Sequence, residues 1–184
     1  GAEGLKKVTE MAILNANYLA AKLKGYFEVL YSGETGRVAN EMILDCSHFK
    51  QSYDVETGDI ARRLMDFGYH APTLSFPVHE TLMVEPTESE SMQELDRFAE
   101  AMIEIKKELE EIKSGTADKV DNVLKNAPHT VVEVSANDWT HKYDRQKAAF
   151  PLEWIAGNKF WPTVSKIDSG FGDRNLVCTC APIE

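Results

Sequence analysis

The sequence predicts a mixed α+β (α/β) domain, a short and mostly antiparallel sheet with helices packed on one side. Three observations carry this expectation. Two long stretches, 2–24 and 91–113, repeat apolar residues at three- and four-residue steps. Between them lie apolar runs of strand length, cut short by glycine and proline. In one such run Met42, Leu44 and Cys46 share a face while Glu41 and Asp45 share the other, the pattern of a sheet covered on one side.

The elements follow in order. Leu5, Val8, Ala12, Ala16, Leu19 and Leu23 mark the first helix, and Gly25 offers its C-terminal stop. Residues 26–31 and 37–46 read as two strands joined by a hairpin-sized loop with two glycines, Gly33 and Gly36. A second helix, starting near Asp54 or Thr57, buries Ile60, Leu64 and Phe67 and ends at Gly68. Two short strands, 74–78 and 82–84, are punctuated by Pro72, Pro77 and Pro86. The third helix aligns Met92, Leu95, Phe98, Met102, Ile105, Leu109 and Ile112, with Ser91 and Glu94 spaced as a capping box. A short helix over 118–125 and a strand over 130–134 complete the regular part. From Ser135 the periodicity fades, while Trp139, Trp154, Trp161, Phe150, Phe160 and Phe171 give the tail much apolar surface. The expected division is therefore 1–134 and an extended, aromatic-rich tail, 135–184, packed over something larger.

Bulk composition narrows the function. A chain of 184 residues fits one domain, or one domain carrying a tail. Its formal charge of −10 supplies no basic stripe to replace phosphate counterions, which argues against a nucleic-acid partner. No apolar run approaches the roughly 18–20 residues a bilayer requires, so no membrane partner is expected. The opening Gly1-Ala2-Glu3-Gly4 lacks an initiator Met and leads straight into a helix, the expectation for a cut from a longer chain. Three cysteines, Cys46, Cys178 and Cys180, form an odd set without a secretory signal, pointing to a reducing compartment.

Few residues carry chemistry. His70 and Thr73 sit on a proline-bent loop at a sheet end, where they could donate hydrogen bonds to a carboxylate or cofactor; satisfying local backbone groups is the plainer role. Cys178 and Cys180 form a CxC pair, either incidental or a thiol switch, and two thiols alone make no zinc site. His79, His129 and His141 lack ligand spacing, so no metal is expected. The helix start at 85–90 carries Glu85, Glu88 and Glu90, which suit capping and would repel a phosphate. KIDSGFGDRN, with Asp168, Asp173 and Arg174 around Gly170 and Gly172, reads as a tight polar turn.

Four stretches, in this order, resemble one family: GAEGLKKVTEMAILNANYLA; GYHAPTLSFPV; TLMVEPTESE with ELDRF; and AAFPLEW, NKFWPTVSKID and GDRNLVCTCAP. They are similar to the C-terminal part of glycine decarboxylase (glycine dehydrogenase), the P-protein of the glycine cleavage system. Departures are confined to the loop after Cys46, to 112–128 and to 135–147. The resemblance implies the small C-terminal domain of a pyridoxal-phosphate enzyme of the aspartate-aminotransferase fold type (fold type I), with 1–24 as the helix leaving the cofactor domain. It implies an activity that releases CO2 from glycine and passes the aminomethyl group to the lipoyl group of H-protein. The cofactor-binding lysine lies upstream in that family, so no catalytic residue is assigned here. The chain alone is expected to bind no pyridoxal phosphate and to be inactive.

His70 and Thr73 become candidate substrate-binding residues, since the small domain closes over the substrate in this fold type. Implied partners are glycine, lipoylated H-protein and the rest of the P-protein, with self-association where apolar surface stays uncovered. The implied location is cytoplasmic, or mitochondrial in a eukaryote. A competing expectation is a non-catalytic module that docks a lipoyl carrier protein; a decarboxylase of another amino acid is a third.

Overall fold

The computed structural model describes residues 1–177. Helix α1 (Ala2–Leu23) ends where Gly25 adopts φ +90°, and strands β1 (Glu28–Val29) and β2 (Met42–Asp45) pair antiparallel. A short α2 (Phe49–Tyr53), read as loop in the sequence, precedes α3 (Thr57–Asp66). Glu56 and Asp59 form a reciprocal capping box that sets the start of α3, while Asp54 closes α2 at φ 56°. Strands β3 (Thr73–Leu74) and β4 (Thr81–Val84) complete a four-stranded, wholly antiparallel sheet in the order β1-β2-β4-β3. The expected strand 74–78 ends at Leu74: Ser75 makes a last bond from its amide to the Thr81 carbonyl at 2.8 Å, and its φ of 52° turns the chain away.

Met42 lies opposite Val84 and Leu44 opposite Leu82, so four buried side chains share one face of the sheet. That face meets Leu19 and Leu23 of α1, Ile60 and Leu64 of α3, and the stripe Leu95, Met102, Ile105, Leu109 of α4 (Met92–Ser114). Burying each such side chain contributes about 1.5–3 kcal/mol. The opposite face keeps Ile43 and Met83 half-exposed. Ser91 caps α4 by accepting from the Glu94 amide at 3.1 Å, and Gly115 at φ 79° ends it.

Between α4 and the tail two expectations are corrected. The segment 118–125 is helical only at α5 (Val123–Asn126), because the Asp118 carboxylate accepts from the Val120 and Asp121 amides and holds a turn before it. The segment 130–134 is no strand: it forms α6 (Val131–Ser135), with the Thr130 hydroxyl accepting from the Glu133 amide. A Thr with an acidic residue three positions on is a helix start, and that cap outweighs the strand preference of three valines.

The tail carries α7 (Arg145–Ala149), a 3-10 turn (Glu153–Asn158) and α8 (Ser169–Arg174). The turn expected around Gly170 is thus a short helix, capped by Asp168, which accepts from the Phe171 amide at 2.8 Å. Ala148, Ala149 and Ile155 are buried, and Phe150, Leu152 and Trp154 pack against the core. Phe160, Val164, Ile167, Phe171, Leu176 and Val177 remain exposed, as does all of α1 through Met11.

Candidate functional site

The loop that carries His70 is built by the end of α3. Gly68, at φ +90°, lets its own amide donate to the Met65 carbonyl and the Tyr69 amide to the Leu64 carbonyl, both at 3.0 Å. That pair of bonds is a Schellman closure, and a side chain at Gly68 would strain it. Tyr69 then turns inward, edge-on to Phe98 at 5.3 Å between ring centres. His70 points outward with Nδ1 3.1 Å from the Ala71 carbonyl oxygen. A carbonyl only accepts, so Nδ1 carries the hydrogen and Nε2 of the neutral ring is left as an acceptor.

His70 and Thr73 line the same cleft, of about 450 Å³. Its floor is Leu19, Met83, Val84, Leu95 and Phe98, and its mouth holds Glu85, Glu90 and Glu94. Burial first, then Glu94, pushes the Tyr69 phenol well above the usual range, so it stays protonated. No lysine or arginine lines this cleft and three carboxylates do. Such a lining does not fit a pyridoxal phosphate, whose phosphate needs cationic or amide donors. Nor does the helix start beside it serve an anion: Ser91 Oγ is already committed, and Glu85 accepts from Asn40 at 2.9 Å.

On the other side of the helix layer the structure gathers residues that spacing left scattered. Arg63 of α3 is fully buried and uses all five of its N–H donors: two go to Glu108, one to Asp66, and two to the carbonyls of Lys147 and Ala148. Asp66 also accepts from the His129 amide at 2.7 Å and faces His129 Nδ1 at 2.8 Å; His129 Nε2 meets the Tyr143 hydroxyl. Burial pushes the Asp66 carboxyl up, but the His129 bonds and the Arg63 charge outweigh it and hold the group below its usual range. For Glu108 burial wins over Arg63, and the carboxyl is raised. One signal for this cluster was present in the sequence: Arg63 and Glu108 interrupt the apolar stripes of their helices at core positions. Its geometry, closed on every side by protein, is that of a structural clasp.

The remaining candidates separate. His79 is exposed beside Glu80, and His141 bridges Asp121 and Glu133 at 2.8 and 3.3 Å. Among the described residues no group of three or more His, Cys, Asp or Glu side chains is placed to hold a metal ion. Cys178 and Cys180 lie outside the described residues. Cys46 is buried, and burial followed by Asp45 and Glu80 pushes its thiol to about 12. Among the described residues no helix is long and apolar enough to cross a membrane.

Residues 8–129, which include α3, the His70 loop and the sheet, match the family model described as glycine dehydrogenase, C-terminal domain. The chain belongs to that family. A glycine dehydrogenase (decarboxylating) of Flavobacterium johnsoniae is 60% identical over 184 residues, all of this chain and 19% of the relative. Those of Bordetella avium and Nostoc punctiforme are 56% and 55% identical over the same span. The chain thus spans about a fifth of the length of the glycine dehydrogenases it matches.

Proposed function

We propose that these 184 residues are the C-terminal part of a pyridoxal-phosphate-dependent glycine decarboxylase. The parent enzyme would release CO2 from glycine and transfer the aminomethyl group to the lipoyl group of H-protein. The observation that carries this reading is the 60% identity over the whole chain to an enzyme named glycine dehydrogenase (decarboxylating). The alternative of a non-catalytic docking module has no comparable support. Pyridoxal phosphate would supply the electron sink from outside this chain, whose own cleft does not suit it. By itself the chain would hold no cofactor and turn over nothing.

In this reading 1–134 form the small domain of fold type I, with 1–24 as its connecting helix, and 135–184 form a tail that continues onto the rest of the enzyme. Two surfaces support that division. The first ten residues of α1, Ala2 through Met11, are exposed on every side, although a helical stretch of that length is marginal without packing. The exposed apolar side chains from Phe160 to Val177 form a second uncovered set. The rest of the polypeptide would cover both; in the isolated chain, self-association would. The location would be cytoplasmic, or mitochondrial in a eukaryote.

His70 and Thr73 would border the glycine pocket. His70 Nε2 accepts a hydrogen bond when the ring is neutral and donates one when protonated, and the Thr73 hydroxyl does both. Either could orient a small zwitterion at the cleft mouth. The test is exchange of labelled bicarbonate into glycine by the longer polypeptide and its H-protein. His70→Ala and Thr73→Ala should each lower kcat/KM by roughly tenfold or more. Full activity in both variants would remove them from the pocket. Glycine turnover by the 184 residues alone would overturn the fragment reading.

A further inference from the structure

The His70 loop has a second neighbour, the tail. Lys159 Nζ donates to the Asp66 carbonyl oxygen at 2.6 Å, across 93 positions of sequence. Asp66 is the last residue of α3, and its carbonyl is one of those a helix end leaves without an internal partner. A cation there also complements the helix dipole. The Asp66 side chain is already taken by Arg63 and His129, so the tail reaches this helix end through the backbone. The ammonium lies 5.8 Å from the Phe150 ring centre and 5.0 Å from that of Trp161, and those rings meet edge to face. Partial burial lowers the amine to about 8, with Asp66 opposing and Arg63 assisting.

What Lys159 anchors is the wall of a cleft. Phe160 and Pro162, on either side of Trp161, face Met65, Gly68, Tyr69, His70 and Ala71 across an apolar space of about 450 Å³. His70 therefore stands between two clefts, one shared with Thr73 and the glutamates, the other closed by the tail. The anchored carbonyl is two residues before Gly68 and four before His70, with the two bonds of the Schellman closure tying this stretch to the last turn of α3.

From this geometry we infer that Lys159 is a positioning residue for the His70 loop, holding the end of α3 and the tail wall together so that His70 keeps a fixed place between the two clefts. The inference rests on the proposed role of His70. It is tested in the longer polypeptide with Lys159→Met and Lys159→Arg, by kcat/KM for glycine and by amide hydrogen exchange. Lys159→Met is expected to lower kcat/KM about tenfold, chiefly through kcat, and to speed exchange in 68–73 while leaving the α4 amides unchanged. Lys159→Arg keeps a cation and a donor and should recover the activity to within about twofold.

With an active parent enzyme, unchanged kcat/KM in Lys159→Met overturns the inference whatever the exchange shows. It is equally overturned if Lys159→Arg is as defective as Lys159→Met and both speed exchange across the domain, the mark of a merely structural role. Should the unaltered polypeptide not turn over glycine, the proposed activity fails instead. Exchange confined to 68–73 then still supports the positioning role, and unaltered exchange overturns it.

Discussion

The guanidinium of Arg63 meets the carboxylate of Glu108 side by side, Nε 3.0 Å from Oε2 and Nη2 2.6 Å from Oε1, with both side chains essentially unexposed. The remaining N–H groups of Arg63 bind Asp66 and two tail carbonyls, so one side chain joins α3, α4 and α7. A buried pair of this kind is weak testimony for net stability, because desolvation offsets much of the attraction. Removing one member is another matter.

Arg63→Met leaves two carboxylates buried without their cation and two carbonyls without a donor. The expected cost is about 3–5 kcal/mol, read from the midpoint of urea unfolding. Adding Glu108→Gln should restore part of it. A single variant within about 0.5 kcal/mol of the parent would contradict the clasp.

Ser91→Ala removes the acceptor for the Glu94 amide at the start of α4. Unfolding should lose about 1 kcal/mol, and Ser91→Asp should restore most of it. Equal stability in all three proteins would show that the cap contributes nothing.

Lys159 gives the stability a pH dependence of defined sign. Its folded amine lies near 8 against an ordinary value of 10.5, so between those values the unfolded chain holds the extra proton. Stability from this group therefore rises with pH across that window. Urea unfolding at several points between pH 7.5 and 10 should show Lys159→Met lacking that component; identical slopes would reject it.

Cys46 is enclosed, and its thiol is pushed to about 12, so little thiolate exists near neutrality. Iodoacetamide at pH 8 should leave the Cys46 peptide unmodified in the folded chain and alkylate it in urea, as read by mass spectrometry. Rapid modification of the folded protein would mean that this part of the core opens readily.

Much of the fold was legible because it is written locally. The stripe from Leu95 to Ile112, the Ser91 cap, and the stops at Gly25 and Gly68 are relations between residues one to four positions apart. The segment 130–134 is a helix and not the expected strand for the same local reason: the Thr130 cap on the Glu133 amide outweighs the strand preference of three valines. The candidate site was legible in part. His70 and Thr73 do line one cleft, but the glutamates at its mouth come from the end of the neighbouring strand β4 and from the start of α4.

The sequence by itself determined the sheet-and-helix composition, the exposed glycine turns and the family, each of which rests on short spacings or on unbroken motifs. Only the tertiary structure decided that part of the tail lies on this domain, that Arg63 is its clasp, and that Lys159 reaches the base of the His70 loop. Those contacts join residues 45, 84 and 93 positions apart. No periodicity encodes a separation of that length; it exists only once the chain has closed the loops between and excluded the water.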